Sequence, residues 1–319
     1  MTRILILFCL FGLSAHANLR DRLRGTVEKR IEKKTESTTS YGYQTFSLQH
    51  DGRERVTRVY VPENLSPTGH YPLVINLHGG MGWAEQQADL SKMNEVADQS
   101  DFIVAYPNGT GKLKNRLLTF NAGACCGYAR DRKVDDVGFI KALIEKLPSK
   151  FPVDPKRVYV TGMSNGAMLA HRLAAEIPSL IAAIGPVAGG RESDGPTPAV
   201  PVPVIHFHGL RDENARFEGG QGKNQFDPVP HHSIASTIEF WVKANHCEPK
   251  PWVVKGKSAI TESYSTPTGV TGAPVVLVKF PDGGHTWPGG GELPAKLGPL
   301  VKDFSASERM WEFFKNHHR

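Results

Sequence analysis

The sequence predicts an α/β fold with a mainly parallel central sheet and helices on both faces. Three observations carry this expectation. Pro72-Leu73-Val74-Ile75-Asn76-Leu77 is a near-continuous apolar run, as a strand buried on both faces requires. From there to the C-terminus, strand-like and helix-like segments alternate. Ahead of that run, Tyr43–Leu48 and Arg55–Val61 alternate apolar and polar residues around His50-Asp51-Gly52, a hairpin signal that predicts an antiparallel N-terminal edge.

The elements follow in order. A helix is expected near Glu85–Gln99 and a strand at Phe102–Tyr106. A long Gly- and Asn-rich loop covers Pro107–Lys133. A helix near Asp136–Leu147 follows, with Asp135 or Asp136 suited to cap it. Strand Val158–Thr161, helix Asn165–Glu176, strands Ala182–Val187 and Val202–Phe207, helix Ser233–Asn245 and strand Val275–Phe280 complete the alternation. Ser305-Ala306-Ser307-Glu308 has capping-box form and opens a last helix that buries Met310, Trp311, Phe313 and Phe314. No repeat and no second alternation marks a boundary, so residues 41–319 are read as one domain.

The first 17 residues read as an export signal. Arg3 gives the positive start, Ile4–Leu13 the apolar stretch and Ala15-His16-Ala17 the cleavage site, with cleavage after Ala17. The apolar stretch is shorter than the roughly 20 residues a bilayer span needs. Cys9 lacks the small residues that precede a lipidated cysteine, so release into the periplasm or the medium is expected. Residues 18–40 form a basic segment and linker: seven Lys or Arg face three Asp or Glu over Asn18–Lys34, and Leu19, Leu23, Val27 and Ile31 repeat at helical spacing. With 39% hydrophobic and 22% charged residues the chain is globular, and a net charge of +6 is mild. No nucleic-acid motif, no integral membrane segment and no metal-ligand spacing is present, so no cofactor is expected. Oligomeric state is open. Export removes Cys9 and leaves Cys125, Cys126 and Cys247. Because adjacent cysteines pair only under strain, Cys247 is expected to join one of the other two.

Chemistry concentrates at Gly162-Met163-Ser164-Asn165-Gly166, between a strand and a helix. A serine hydroxyl needs a base to take its proton and donors to hold the oxyanion. At such an elbow Ser164 stands exposed above the sheet edge, flanked by glycines that leave the turn uncrowded. The Asn165 amide opens the helix and can face the oxyanion. Leu77-His78-Gly79-Gly80-Met81-Gly82 follows a buried strand and supplies Gly80 and Met81 as candidates for the second donor. His78, at a strand end, reads better as structural than as a base. The elbow requires an acid and then a histidine at later strand ends. Pro203–Phe207 leads into Arg211-Asp212, and Val275–Phe280 leads into Gly284-His285. Asp212 would hold the imidazole of His285 in the tautomer that accepts the serine proton. Glu213 competes with Asp212; Asp282 is too near His285 in sequence.

These stretches resemble the secreted α/β-hydrolase esterases of the polyhydroxybutyrate depolymerase and feruloyl esterase family. LHGGMG, NAGACCGYA with VDDVGFI, VYVTGMSNGAML, HFHGLRD, the Trp241–Cys247 segment and GGHTWPGG carry the resemblance from about residue 43 to 316. It implies the α/β-hydrolase fold, with Ser164 as nucleophile, Asp212 as acid and His285 as base. It also implies a Cys125-Cys126 segment packed beside the site, tied by a disulfide to Cys247, and Trp287 lining the substrate cleft. Phe120 stands where relatives often carry tryptophan. Depolymerases of extracellular granules commonly add a binding domain after the catalytic one; here the chain ends one helix past His285, which favours a small or soluble ester. The function implied is an exported serine esterase acting on feruloyl, acetyl or short polyhydroxyalkanoate esters. Alternatives are a peptidase or acyltransferase on the same scaffold, or a silent carbohydrate-binding envelope protein.

Overall fold

Every named strand among the described residues joins one sheet. The computed structural model describes residues 42–223 and 227–319; the expected export signal and basic segment lie outside them. The chain divides into a unit ending at Tyr43 and a unit spanning Gln44–Arg319, and the second is described here. β1 (Tyr43–His50) and β2 (Arg53–Tyr60) turn through Asp51 and Gly52, both at positive φ (49° and 68°). Two consecutive left-handed residues match the twist of the flanking strands.

β3 (Tyr71–Leu77), β4 (Ile103–Pro107), β5 (Val153–Met163), β6 (Ala183–Val187), β7 (Val204–Gly209), β8 (Trp252–Lys255), β9 (Ile260–Tyr264) and β10 (Val275–Phe280) complete a ten-stranded sheet. Its order is β1-β2-β4-β3-β5-β6-β7-β10-β9-β8. The centre, from β4 through β3, β5, β6 and β7 to β10, is parallel. The flanks are antiparallel: β2 on β4 at one side, β9 on β10 and β8 on β9 at the other.

The helices are α1 (Ala84–Ser91), α2 (Met93–Ser100), α3 (Gly127–Asp131), α4 (Asp136–Lys146), α5 (Asn165–Glu176), α6 (Ile234–Ala244) and α7 (Ala306–Phe314). The expected helix over 85–99 is two, because Lys92 breaks it at φ 52°. β8 and β9, which sequence periodicity did not suggest, form the outer edge; all four residues of β8 are exposed. Asp135 caps α4 by accepting from the Gly138 amide at 2.9 Å, and Ser305 caps α7 from the Glu308 amide at 3.2 Å.

Strand alternation divides the core between two faces. Leu73 and Ile75 of β3, Val158 and Val160 of β5 and Val204 of β7 join one apolar cluster with Phe139, Ile140, Leu173 and Trp241 of the helices. On the other face Tyr159 stacks on Phe314 at 4.7 Å and Phe102 on Trp311 at 4.1 Å, which seats α7. Burial of such aromatic faces is the dominant stabilising term for an element of this length. Rigid parallel strands thus end together at their carboxyl edge, where Leu77, Met163, Gly209 and Phe280 deliver the loops that carry the site.

Candidate active site

Ser164 sits between β5 and α5 at φ 53° and ψ −118°, a conformation that side chains seldom adopt. Neighbouring glycines allow it. A Cβ on Gly162 would lie 2.7 Å from the Leu77 carbonyl, and one on Gly166 would press on the same oxygen and on that of His78. The Ser164 amide donates to Val187 O at 2.9 Å, and its carbonyl accepts from Met168 at 2.9 Å to begin the helix.

Asp212 and His285, 73 positions apart, are joined by a 2.7 Å hydrogen bond from Nδ1 to Oδ2. The loops after β7 and β10 bring them together because these strands are adjacent and in parallel register, with Gly209 opposite Phe280. Asp212 Oδ1 accepts from the amides of Asn214 (2.8 Å) and Ala215 (2.9 Å). Burial alone would raise this carboxyl. Facing His285, their hydrogen bond, nearby His208 and the Ala215 amide outweigh it, and Asp212 lies below its ordinary range. Glu213, the competing acid, is turned to Lys223 Nζ at 2.8 Å, and Asp282 pairs with Arg211 at 2.6 Å. Ser164 and His285 line one cavity of about 30 Å³ with Cys125, Cys126, Met168, Asn214, Ala215, Asp227 and His231.

Two segments with candidate donors lie beside Ser164. Asn165 is the first residue of α5, so its N–H has no helical partner. Its side chain is engaged elsewhere, donating to Phe120 O (2.9 Å) and accepting from Phe120 N (2.7 Å). The Gly79-Gly80 turn runs beside the elbow; a Cβ on Gly79 would lie 3.7 Å from Ser164 Cβ. Met81, expected as a donor, is not one. Its amide donates to Leu118 O at 2.8 Å, which anchors the loop and leaves Gly80 as the candidate.

His78 is buried, with Nδ1 bonded to Gly79 O (2.7 Å) and Nε2 accepting from Gly109 N (3.0 Å). Burial holds its pKa down to about 4, so it is neutral at neutral pH.

Two further expectations are corrected. Trp287 does not line the cleft: it is fully buried and its Nε1 donates to Ser307 Oγ at 3.0 Å, which ties the turn after His285 to α7. Cys247 does not pair with either neighbour of the site. It is a free thiol, its sulfur 3.1 Å from Ala273 O, held among backbone carbonyls past the end of α6. Cys125 and Cys126 lie elsewhere, and both line the cavity.

Sequence reasoning missed the support beneath the loop at 121–136. Arg55 Nη2 meets Asp136 Oδ1 at 2.6 Å, and Asp136 Oδ2 accepts from the Asn121 amide at 2.7 Å. Arg55 also lies 3.8 Å over the Phe139 ring. Burial pushes the Asp136 carboxyl up, opposed by Arg55 and the amide. An arginine on the inward face of an alternating strand was the available signal. Among the described residues no group of three or more His, Cys, Asp or Glu is arranged to hold a metal ion. Among them, too, no helix is long and apolar enough to cross a membrane.

The profile of the family described as "Esterase PHB depolymerase" matches residues 57–196. A Nocardia uniformis subsp. tsuyamanensis protein described as "Putative esterase NocK" is 31% identical over 284 residues, which cover 82% of this chain and 79% of the other. "Feruloyl esterase B" of Piromyces equi is 31% identical over 250 residues, 73% of this chain but only 42% of that protein. The structure of an acetyl xylan esterase from Aspergillus awamori superposes with a TM-score of 0.54 at 17% identity, over 76% of this chain and 94% of the other. At that identity it speaks for the fold alone, which is the α/β-hydrolase fold. On the strength of these matches, the chain belongs to the esterase family described as Esterase PHB depolymerase.

Proposed function

We propose that this esterase is an exported serine carboxylesterase that works through an acyl-enzyme. The observation that carries the reading is the cavity lined by both Ser164 and His285, with His285 bonded to the buried carboxylate of Asp212. In this mechanism the Nδ1–H of His285 donates to Asp212, which leaves Nε2 as the base. Nε2 takes the Ser164 proton as Oγ attacks the ester carbonyl carbon. The developing oxyanion accepts from the amides of Gly80 and Asn165. His285 then passes its proton to the leaving alkoxide, the alcohol departs, and Ser164 carries the acyl group. A water molecule, deprotonated by His285, attacks that acyl group. Collapse of the second intermediate returns the proton to Ser164 Oγ and releases the carboxylic acid.

Feruloyl, acetyl and short polyhydroxyalkanoate esters are the proposed substrate class, supported by the names of the relatives. Export is supported by Arg3, the apolar stretch Ile4–Leu13 and Ala15-His16-Ala17. The mass of the protein recovered from periplasm or medium tests it; a mature chain beginning at Asn18 is expected.

Hydrolysis of methyl ferulate, p-nitrophenyl acetate, p-nitrophenyl butyrate and a hydroxybutyrate oligomer, alongside Ser164→Ala, tests the chemistry. Turnover of at least one ester, reduced by roughly 10⁴-fold or more in Ser164→Ala, is expected. Equal rates in the two proteins would refute Ser164 as nucleophile. A fluorophosphonate that labels the wild type but not Ser164→Ala gives an independent reading of the same point.

A further inference from the structure

A line of buried rings, unused by the chemistry above, runs from the core to Asp212. Trp241 of α6, His171 of α5 and His206 and His208 of β7 are each no more than 1% exposed. Period-two alternation along β7 points both of its histidines to the face covered by α5 and α6. The nitrogens meet in sequence. Trp241 Nε1 donates to His171 Nδ1 at 2.9 Å, and His171 Nε2 lies 3.3 Å from His206 Nδ1. His206 Nε2 lies 3.2 Å from His208 Nδ1, and His208 Nε2 reaches Ala215 O at 2.7 Å and Asp212 Oδ2 at 3.5 Å.

The chain has one possible direction. An indole N–H can only donate, and a neutral imidazole has one donor and one acceptor nitrogen. With His171 Nδ1 accepting, its proton sits on Nε2 and faces His206 Nδ1. The same logic passes to His206 and then to His208, whose proton faces Ala215 O and Asp212. The opposite direction would aim the lone pair of His208 Nε2 at a carbonyl oxygen 2.7 Å away and at a carboxylate. Burial keeps all three imidazoles neutral; Arg191 and the Gly189 backbone face the His171 end, and Asp212, His285 and Glu218 face the His208 end.

We propose that this Trp241–His171–His206–His208 chain positions Asp212 for His285. Its last N–H holds the carbonyl of Ala215, and the amide of that same residue holds Asp212 Oδ1. The turn from Gly209 to Ala215 is thereby fixed from below, with Oδ2 2.7 Å from His285 Nδ1 and 3.5 Å from His208 Nε2. Four polar rings in a core would otherwise be a poor exchange for leucines, since each desolvated nitrogen needs a partner. The proposal rests on the triad reading, and His171, His206, His208 and Trp241 are positioning residues that touch no substrate.

The test combines two variants with spectra of the intact protein. His208→Leu removes the terminal donor, whereas His208→Gln restores an N–H near the same carbonyl. His208→Leu is expected to lower kcat by about 10- to 100-fold with KM little changed, the loss typical when a partner orienting a functional histidine is removed. His208→Gln is expected to recover most of it. Equal losses in the two, tracking their melting temperatures, would overturn the proposal. Long-range ¹H–¹⁵N spectra of the resting wild-type protein are expected to place the protons of His171, His206 and His208 on Nε2. A proton on Nδ1 of His206 or His208 would overturn it without any variant. If His208→Leu does not fold, Trp241→Phe takes its place, with mixed tautomers and a lower kcat expected; unchanged tautomers and kcat would overturn the proposal. The low-field Nδ1 proton of His285 reads the Asp212 bond without turnover. A wild type that hydrolyses no ester would sink the proposed function alone, and the tautomers and this resonance would still decide the chain.

Discussion

Asp212 and Glu213 are adjacent acids that differ by one methylene, yet one is buried against His285 and the other meets Lys223 in solvent. The turn after Gly209 explains the difference: the amides of Asn214 and Ala215 fold back on position 212 and leave 213 outside. Asp212→Asn is expected to lower kcat by about 10⁴-fold through the wrong imidazole tautomer. Glu213→Gln loses only an exposed ion pair and is expected to stay within about 0.5 kcal/mol in stability. Steady-state kinetics on an active ester and urea unfolding separate the two; equal kinetic losses would contradict the assignment of Asp212. At the same scale, Asp136→Asn strands the Arg55 guanidinium, which is only 2% exposed. A cost of about 3–5 kcal/mol is expected, read as a lower urea midpoint with the slope unchanged.

Among the elements, the β5–α5 elbow does the most with the fewest residues. Its backbone holds Ser164 at φ 53°, and the helix it starts frees the Asn165 amide. A Cβ on Gly166 would push on the carbonyls of Leu77 and His78, the strand end from which the Gly79-Gly80 turn departs. Gly166→Ala is therefore expected to cost about 1–3 kcal/mol and also to lower kcat, because the same displacement moves a proposed oxyanion donor. A melt and a kinetic assay on one preparation check this; a stable variant with wild-type kcat would contradict it. At the far edge of the sheet, β8 shows why it was illegible: Trp252-Val253-Val254-Lys255 has no burial to impose alternation, and Trp252 is 75% exposed. The hairpin at Asp51-Gly52 was legible because its turn residues are local determinants.

For the molecule as a whole, buried neutral histidines set the response to acid. His78 is held at about 4 and His171 at about 3, against an ordinary value of 6.5, chiefly by burial. Below pH 6.5 the unfolded chain binds protons at these positions that the folded chain refuses. Stability is therefore complete above that pH and declines as pH falls toward 4, by about 1.4 kcal/mol per pH unit for each such histidine. The contribution of Asp212 behaves differently. Its depressed pKa stabilises the fold above the ordinary carboxylate range, and that stabilisation is lost only as pH falls through its lower, folded value. Urea unfolding at stepped pH from 7 to 4 checks the sign, and a flat curve between 6.5 and 5 would contradict neutral burial.

The sequence by itself determined the α/β alternation, the elbow at Ser164, the order of Ser164, Asp212 and His285, and most element bounds, because periodicity and turn chemistry act between near neighbours. Only the tertiary structure decided which partners distant groups choose. It gave the Met81 amide to Leu118, sank Trp287 against Ser307, left Cys247 a thiol against Ala273 O, and seated Asp136 on Arg55. Each of these depends on contacts between residues at least 20 positions apart in the chain. A hydrogen bond of this kind is fixed by the packing of whole strands and helices, and no local pattern in the chain encodes it.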